Sequence, residues 1–154
     1  MTDAKEELNR IRVDGAKIED KLEELEKLKT LATKVTAVMG GEAVSRSRNT
    51  DTMGDAVARI VEMQDEIADL IDSYISRKKY FSQIIDSLRN PMQIKVLYGR
   101  YYSGKPFEDI AQELGYTRRN ICYIHGAALR AVEDIIKERE NSNDQDERHH
   151  YPQG

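Results

Sequence analysis

Apolar residues recur along the first quarter of the chain at spacings mostly of three and four: Leu8, Ile11, Ile18, Leu22, Leu25, Leu28, Leu31, Val35 and Val38, set among densely alternating Glu and Lys. That period puts them on one face of a helix. It predicts a long amphipathic helix from Lys5 to Met39, roughly 35 residues and about 50 Å at 1.5 Å rise per residue. The seven-residue repeat slips between Leu25 and Leu28, and Gly15 weakens the early turns, so a continuous two-stranded coiled coil is not specified. Gly40-Gly41 supplies a stop. Glu42 to Asp51, EAVSRSRNTD, has no apolar period and reads as a loop. Its Arg46 and Arg48 are suited to a phosphate backbone or a partner, a solvated loop being the plainer reading.

Thr52 with Asp55 resembles a capping box, and Met53, Val57, Ile60, Ile67, Ile71, Tyr74, Phe81, Ile85 and Leu88 continue at helical spacing. Two long helices joined by a short loop predict an antiparallel, coiled-coil-like hairpin over residues 1–89. Asn90-Pro91 then breaks the second helix and starts another, with Asn90 as N-cap and Pro91 at the first position. Met92, Val96, Leu97 and Tyr101 form its inner face, and Ser103-Gly104 closes it. The tyrosines and Met92 read as core rather than as ligand contacts.

The segment from Pro106 to Val132, PFEDIAQELGYTRRNICYIHGAALRAV, reads as two helices joined by a tight turn. Pro106 suits the first position of the earlier helix, which buries Ile110, Ala111 and Leu114, and Gly115 stops it. Thr117 suits the N-cap of the next helix, behind which Ile121, Ile124, Ala128 and Val132 recur at helical spacing. A linker of Gly115 to Thr117 forces a sharp crossing, and Ala111 is small enough to allow close approach. Arg118, Arg119, Asn120, Cys122 and Tyr123 remain on the outward face, with His125 slightly further on. Arginine can donate two parallel hydrogen bonds to guanine, asparagine can pair bidentately with adenine, and either can hold phosphate. The helix N-terminus adds free amide donors and partial positive charge. The simpler alternative is a solvated arginine pair on an ordinary helical pair.

GYTRRNICYIHGAALRAV resembles, position for position, the second half of region 4 of bacterial sigma factors. The likeness extends upstream through MQIKVLYGRYYSGKPFEDIAQEL, where such domains carry a helix ending in an arginine- and aromatic-rich segment, here Arg100-Tyr101-Tyr102. It covers about Pro91 to Ile136. The resemblance implies a helix-turn-helix reader of double-stranded DNA with Arg118, Arg119, Cys122 and Tyr123 at base-reading positions. Arg118 keeps the usual arginine. Arg119 stands where an acidic residue is common, and Cys122 and Tyr123 replace polar or basic residues, which implies altered specificity. With its long helical first half, the chain is similar to small phage and prophage proteins of the ArpU and RinA types, which implies transcriptional regulation of late phage genes.

Composition refines this picture. The chain has 154 residues, 34% charged and 39% hydrophobic, which suits a helical protein with thin cores. Its formal net charge is −4, but residues 77–136 carry ten Lys and Arg against six Asp and Glu, whereas residues 51–76 carry one against seven. Phosphate neutralisation needs a local basic face rather than a basic protein. No run of about 18 apolar residues and no secretory leader is visible, so a cytoplasmic, nucleoid-associated protein with no membrane contact is expected. The lone Cys122 excludes an intrachain disulfide, though beside two arginines it is a candidate reactive thiol. The histidines lack zinc-ligand spacing, the His149-His150 pair included, and no cofactor or metal is expected. No phosphate-binding glycine loop, nucleophile elbow or zinc-protease motif is present, and no enzyme is expected. The tail, residues 137–154, lacks apolar periodicity and is expected to be disordered.

The expectation is therefore an all-α chain with a helical hairpin over 1–89, a helix-turn-helix domain over 90–136 and a free tail. Its expected partners are double-stranded DNA, a second copy through the hairpin, and RNA polymerase. Within the DNA reading, Arg118, Arg119 and Tyr123 take base edges and Asn120 a base or phosphate. Thr117 positions the helix, and Lys105, His125 and Arg130 serve as phosphate or rim contacts. Two alternatives stay open: an oligomerising structural or packaging component with a weak DNA grip, and a polymerase-binding module that reads no DNA.

Overall fold

The long apolar period at the start of the chain forms one helix. In the computed structural model, which describes residues 3–39 and 46–149, α1 runs Ala4–Met39 and α2 runs Arg46–Asp86. There follow α3, Pro91–Leu97, a π-helical segment Tyr98–Tyr102, α4, Phe107–Leu114, and α5, Arg118–His149. The fold is all-helical, with no strand among the described residues. Gly40, Gly41 and His150, with the side chains of Arg46, Arg48 and His149, lie outside the described residues.

Two expected boundaries move. The second half of the Glu42 to Asp51 segment is helical, so α2 has 41 residues and Thr52 lies inside it rather than capping it. Nothing between Arg46 and Thr52 is Gly or Pro, and a helix anchored by its apolar face extends through polar residues that do not oppose it. The tail behaves likewise. Residues 137–149, expected to be disordered, continue α5 beyond the buried Ile136 as a helical extension, exposed over 137–148 and rich in charged and polar residues. Nucleation has been met by the packed part of α5, so each added residue costs little.

By contacts the chain divides into two compact units, one of residues 13–76 and one of residues 1–12 with 77–154. In the first, Leu25 packs with Met63 and Ile67, bordered by Leu28, Ile60 and Ile71. Lys21 Nζ lies 3.6 Å from a Glu66 carboxylate oxygen. Nearer the start of α1, a Cβ placed on Gly15 would come within 3.1 Å of the Tyr74 hydroxyl oxygen. As residue numbers rise in α1 the facing numbers fall in α2, so the two helices run antiparallel here. Gly15 thus admits a tyrosine rather than merely weakening a turn. Leu22, Leu31, Val35 and Val57, which share the helical period, stay 41 to 57% exposed. Two helices can bury only the stripe each turns to the other.

The second unit holds the deepest core: Leu8, Ile11, Ile84, Ile85, Val96, Leu97, Ile121 and Val132 are essentially sealed from solvent. The break at Asn90-Pro91 is a true helix boundary, since the Met92 amide donates to Asn90 Oδ1 at 2.9 Å. Yet the buried Phe81, Ile84, Ile85 and Leu88 before it and Val96 and Leu97 after it belong to the same unit. The expected third helix loses its α-helical pattern at Tyr98. The Ser103 amide reaches back to the Tyr98 carbonyl at 3.0 Å and the Lys105 amide to the Gly99 carbonyl at 3.0 Å, a wider turn than the α-helix makes. Gly99 belongs to this turn, and a Cβ there would sit 3.3 Å from Ile110 side-chain carbons.

Candidate nucleic-acid interface

The site rests on three tyrosines of the widened turn. Tyr98 donates its hydroxyl to Asp86 Oδ1 at 2.6 Å, and Tyr102 donates to the Lys78 carbonyl at 2.6 Å while accepting from Ser82 Oγ at 3.0 Å. Burial and the bond to Asp86 push the Tyr98 hydroxyl pKa up to about 12, so it remains a donor through the neutral range. Tyr101 points the other way, its hydroxyl oxygen 2.6 Å from His125 Nε2 in a buried pair. One turn thereby joins α2 to α5. Arg100 lies over the Phe107 ring, 4.4 Å from its centroid, and donates to the Lys105 carbonyl at 3.3 Å. The arginine- and aromatic-rich segment is thus engaged in holding helices together.

α4 and α5 meet over Val96, Ile110, Ala111 and Ile121, bordered by Phe107, Leu114 and Ile124. Pro106 stands one position before α4 as its cap residue, not at its first helical position: its ψ of 155° is extended, and its carbonyl accepts from the Asp109 and Ile110 amides. Gly115 ends α4 at φ +72°, a left-handed conformation that costs glycine little. The Tyr116 amide returns to the Ala111 carbonyl at 2.9 Å. Thr117 then caps α5, its Oγ1 accepting from the Asn120 amide at 3.1 Å. The α5 register is set on both sides of the turn.

With Ile121 sealed inside, that register leaves Arg118, Arg119, Asn120, Cys122 and Tyr123 exposed together at the start of α5. Arg118 and Cys122 are four apart, as are Arg119 and Tyr123, so they share one surface. Arg118 Nε lies 3.0 Å from a Glu108 carboxylate oxygen of α4, with both side chains well exposed. Such a pair is worth about 0 to 1 kcal/mol, so Arg118 can exchange this partner for another anion. The Arg119 guanidinium lies 6.0 Å from the Tyr123 ring centroid, and Tyr123 is 66% exposed. Tyr116, which the sequence reading passed over, adds a second exposed aromatic at the turn. Its signal was present: a large aromatic between a glycine stop and a threonine cap has no core to enter.

The three rim candidates separate. Arg130 is exposed, about three turns beyond Arg118 on the same helix. Lys105 is half-buried in the loop before α4, with Nζ 2.9 and 3.0 Å from the two Glu113 carboxylate oxygens. His125 is not a rim contact. It is buried against Tyr101 and the Phe107 ring, and burial, reinforced by Lys5 and Arg100, lowers its pKa to about 4. A neutral buried imidazole offers a phosphate neither charge nor access. Helical spacing already puts it on the inner face, four residues after Ile121 and three before Ala128; its pairing with Tyr101, 24 residues earlier, is what spacing does not show.

No group of three or more potential metal ligands occurs among the described residues, and none of the described helices is long and apolar enough to cross a membrane. No family model matches the chain, and neither a curated protein nor a solved structure matches it.

Proposed function

We propose that this protein is a sequence-specific double-stranded DNA-binding regulator, in which α4, the three-residue turn and α5 act as a helix-turn-helix of the sigma-region-4 kind and the long antiparallel helices serve as a protein-contact arm. One observation carries the reading: the capped N-terminus of α5 presents Arg118, Arg119, Asn120, Cys122 and Tyr123 together and exposed, while Ile121 anchors the helix beneath them. An α-helix N-terminus fits the major groove, and arginine and asparagine are the side chains whose paired donors and acceptors match base edges there. Arg118 and Arg119 take base edges, Tyr123 supplies apolar contact, and Asn120 takes an adenine edge or a phosphate. The free amides of the first turn favour phosphate. Arg130 is the outlying phosphate contact.

The regional charge agrees. Ten basic side chains against six acidic ones in residues 77–136 give a local excess of four, and the acidic stretch 51–76 keeps non-specific affinity low. Arg118→Ala in the full chain is expected to weaken binding to a selected site by about 1 to 3 kcal/mol, measured by fluorescence anisotropy at fixed salt. Unchanged affinity would remove Arg118 from the interface.

A further inference from the structure

Beside the face it turns to α1, α2 carries a second stripe at helical spacing, of which Ile71 also borders the α1 contact and Val57 lines a groove with Leu31 and Val35 of α1. On α2, Val57, Val61, Gln64, Ala68, Ile71 and Ile75 follow one another at alternating spacings of four and three. That is the seam spacing of a coiled coil, here over 18 residue steps or about 27 Å. Val57, Val61 and Ile75 are 54, 50 and 57% exposed, Gln64 and Ala68 are exposed, and Ile71 is half-buried. The residue preceding three of these positions, Ile60, Ile67 and Tyr74, turns toward α1 and closes that flank.

The other flank is acidic at the four central positions of the six. Val61 is followed by Glu62, Gln64 by Asp65, Ala68 by Asp69 and Ile71 by Asp72, so each of these seam positions has a carboxylate on the same side. Asp65, Asp69 and Asp72 make no ion pair among the described residues, and Glu62 pairs only along its own helix with Arg59, at 3.1 Å. Flanking charges choose the partner of a helical seam, because like signs brought together repel and opposite signs attract. A second copy applied antiparallel to this stripe would set its acidic edge against the same acidic edge, and one applied parallel would set that edge against the flank that α1 already closes. The exposed remainder of α1 in this unit mixes Lys with Glu and Asp and offers no basic edge either.

We infer that this face of α2 docks an amphipathic helix from a different protein, apolar at three-four spacing and flanked by Lys or Arg. Gln64 lies within the stripe, where a polar seam residue fixes register at some cost in affinity. This inference stands independently of the DNA reading, because it involves only residues 13–76.

The test uses the full chain and synthetic helical peptides of about 21 residues, long enough to span the stripe. One has Leu at seam positions with Lys flanks, a second has Glu in place of Lys, and a third has the Lys composition with its leucines dispersed around the helix. Calorimetry is expected to show the Lys-flanked peptide binding at least about tenfold more tightly than either control, with affinity falling as salt rises. Val61→Lys and Ile75→Lys should each weaken that peptide about tenfold or more, the milder Val61→Gln should act in the same direction, and circular dichroism should show helicity retained. Asp65→Lys with Asp69→Lys and Asp72→Lys should transfer the preference to the Glu-flanked peptide. Equal binding of all three peptides, no binding, or binding indifferent to the stripe variants overturns the proposal. So does a homodimer in sedimentation equilibrium that Ile75→Lys dissolves, since the stripe would then belong to a second copy.

Discussion

Single side chains decide how the α5 face is held and how the protein responds to acid. His125 titrates near 4 in the folded chain against about 6.5 when exposed, so between these values the unfolded chain binds more protons. Its contribution is fully present above about pH 6.5, is lost as pH falls toward 4, and is worth up to about 3 kcal/mol. Thermal melts from pH 7 to 4 should therefore show a drop in Tm that is shallower in His125→Gln; parallel curves would remove His125 as its source. At the proposed interface, Glu108 pairs with Arg118 and places negative charge beside it. Glu108→Gln should tighten DNA binding about two- to fivefold at low salt, and weaker binding would show that Glu108 positions Arg118 productively. Of these features the exposed arginines, Asn120 and Tyr123 were legible in the sequence, because helical period and cap alone place them. The inward face of His125 was legible too, from its spacing to Ile121 and Ala128, but its pairing with Tyr101 was not, because that depends on a contact distant along the chain.

The elements most readable were those with local causes. Asn90, Gly104, Gly115 and Thr117 mark turns and caps through their own chemistry, and each stands at such a boundary in the structure. Thr117→Ala should cost about 1 kcal/mol by freeing an amide at the start of α5, and Gly115→Ala a similar amount through its positive φ. Urea unfolding measures both, and a neutral Thr117→Ala would show that water replaces the cap. The start of α2 and the extension of α5 were misread because polar segments without glycine or proline look alike whether or not a packed helix leads into them. The π-helical turn was equally hidden. Within it Gly99 lies against Ile110, so Gly99→Val should destabilise the unit by about 2 kcal/mol or more. Unchanged stability in that variant would show that Ile110 repacks freely.

At the scale of the whole chain, acidic and basic character are segregated, and each unit has its own core. Periodicity alone suggested a boundary at Asn90. The packed residues instead bring 1–12 and 77–89 together with α3, α4 and α5, which no local signal in α1 or α2 announces. The proposed regulator therefore carries its DNA-facing helix on a core that includes the chain's first turns. Selection of bound duplexes from a random library by the full chain tests this account most directly. It predicts an enriched site bound about a thousandfold or more tighter than random duplex at physiological salt, with the preference relaxed by Arg118→Ala. Absence of any enriched sequence, or an enriched site bound equally well by Arg118→Ala, would contradict it.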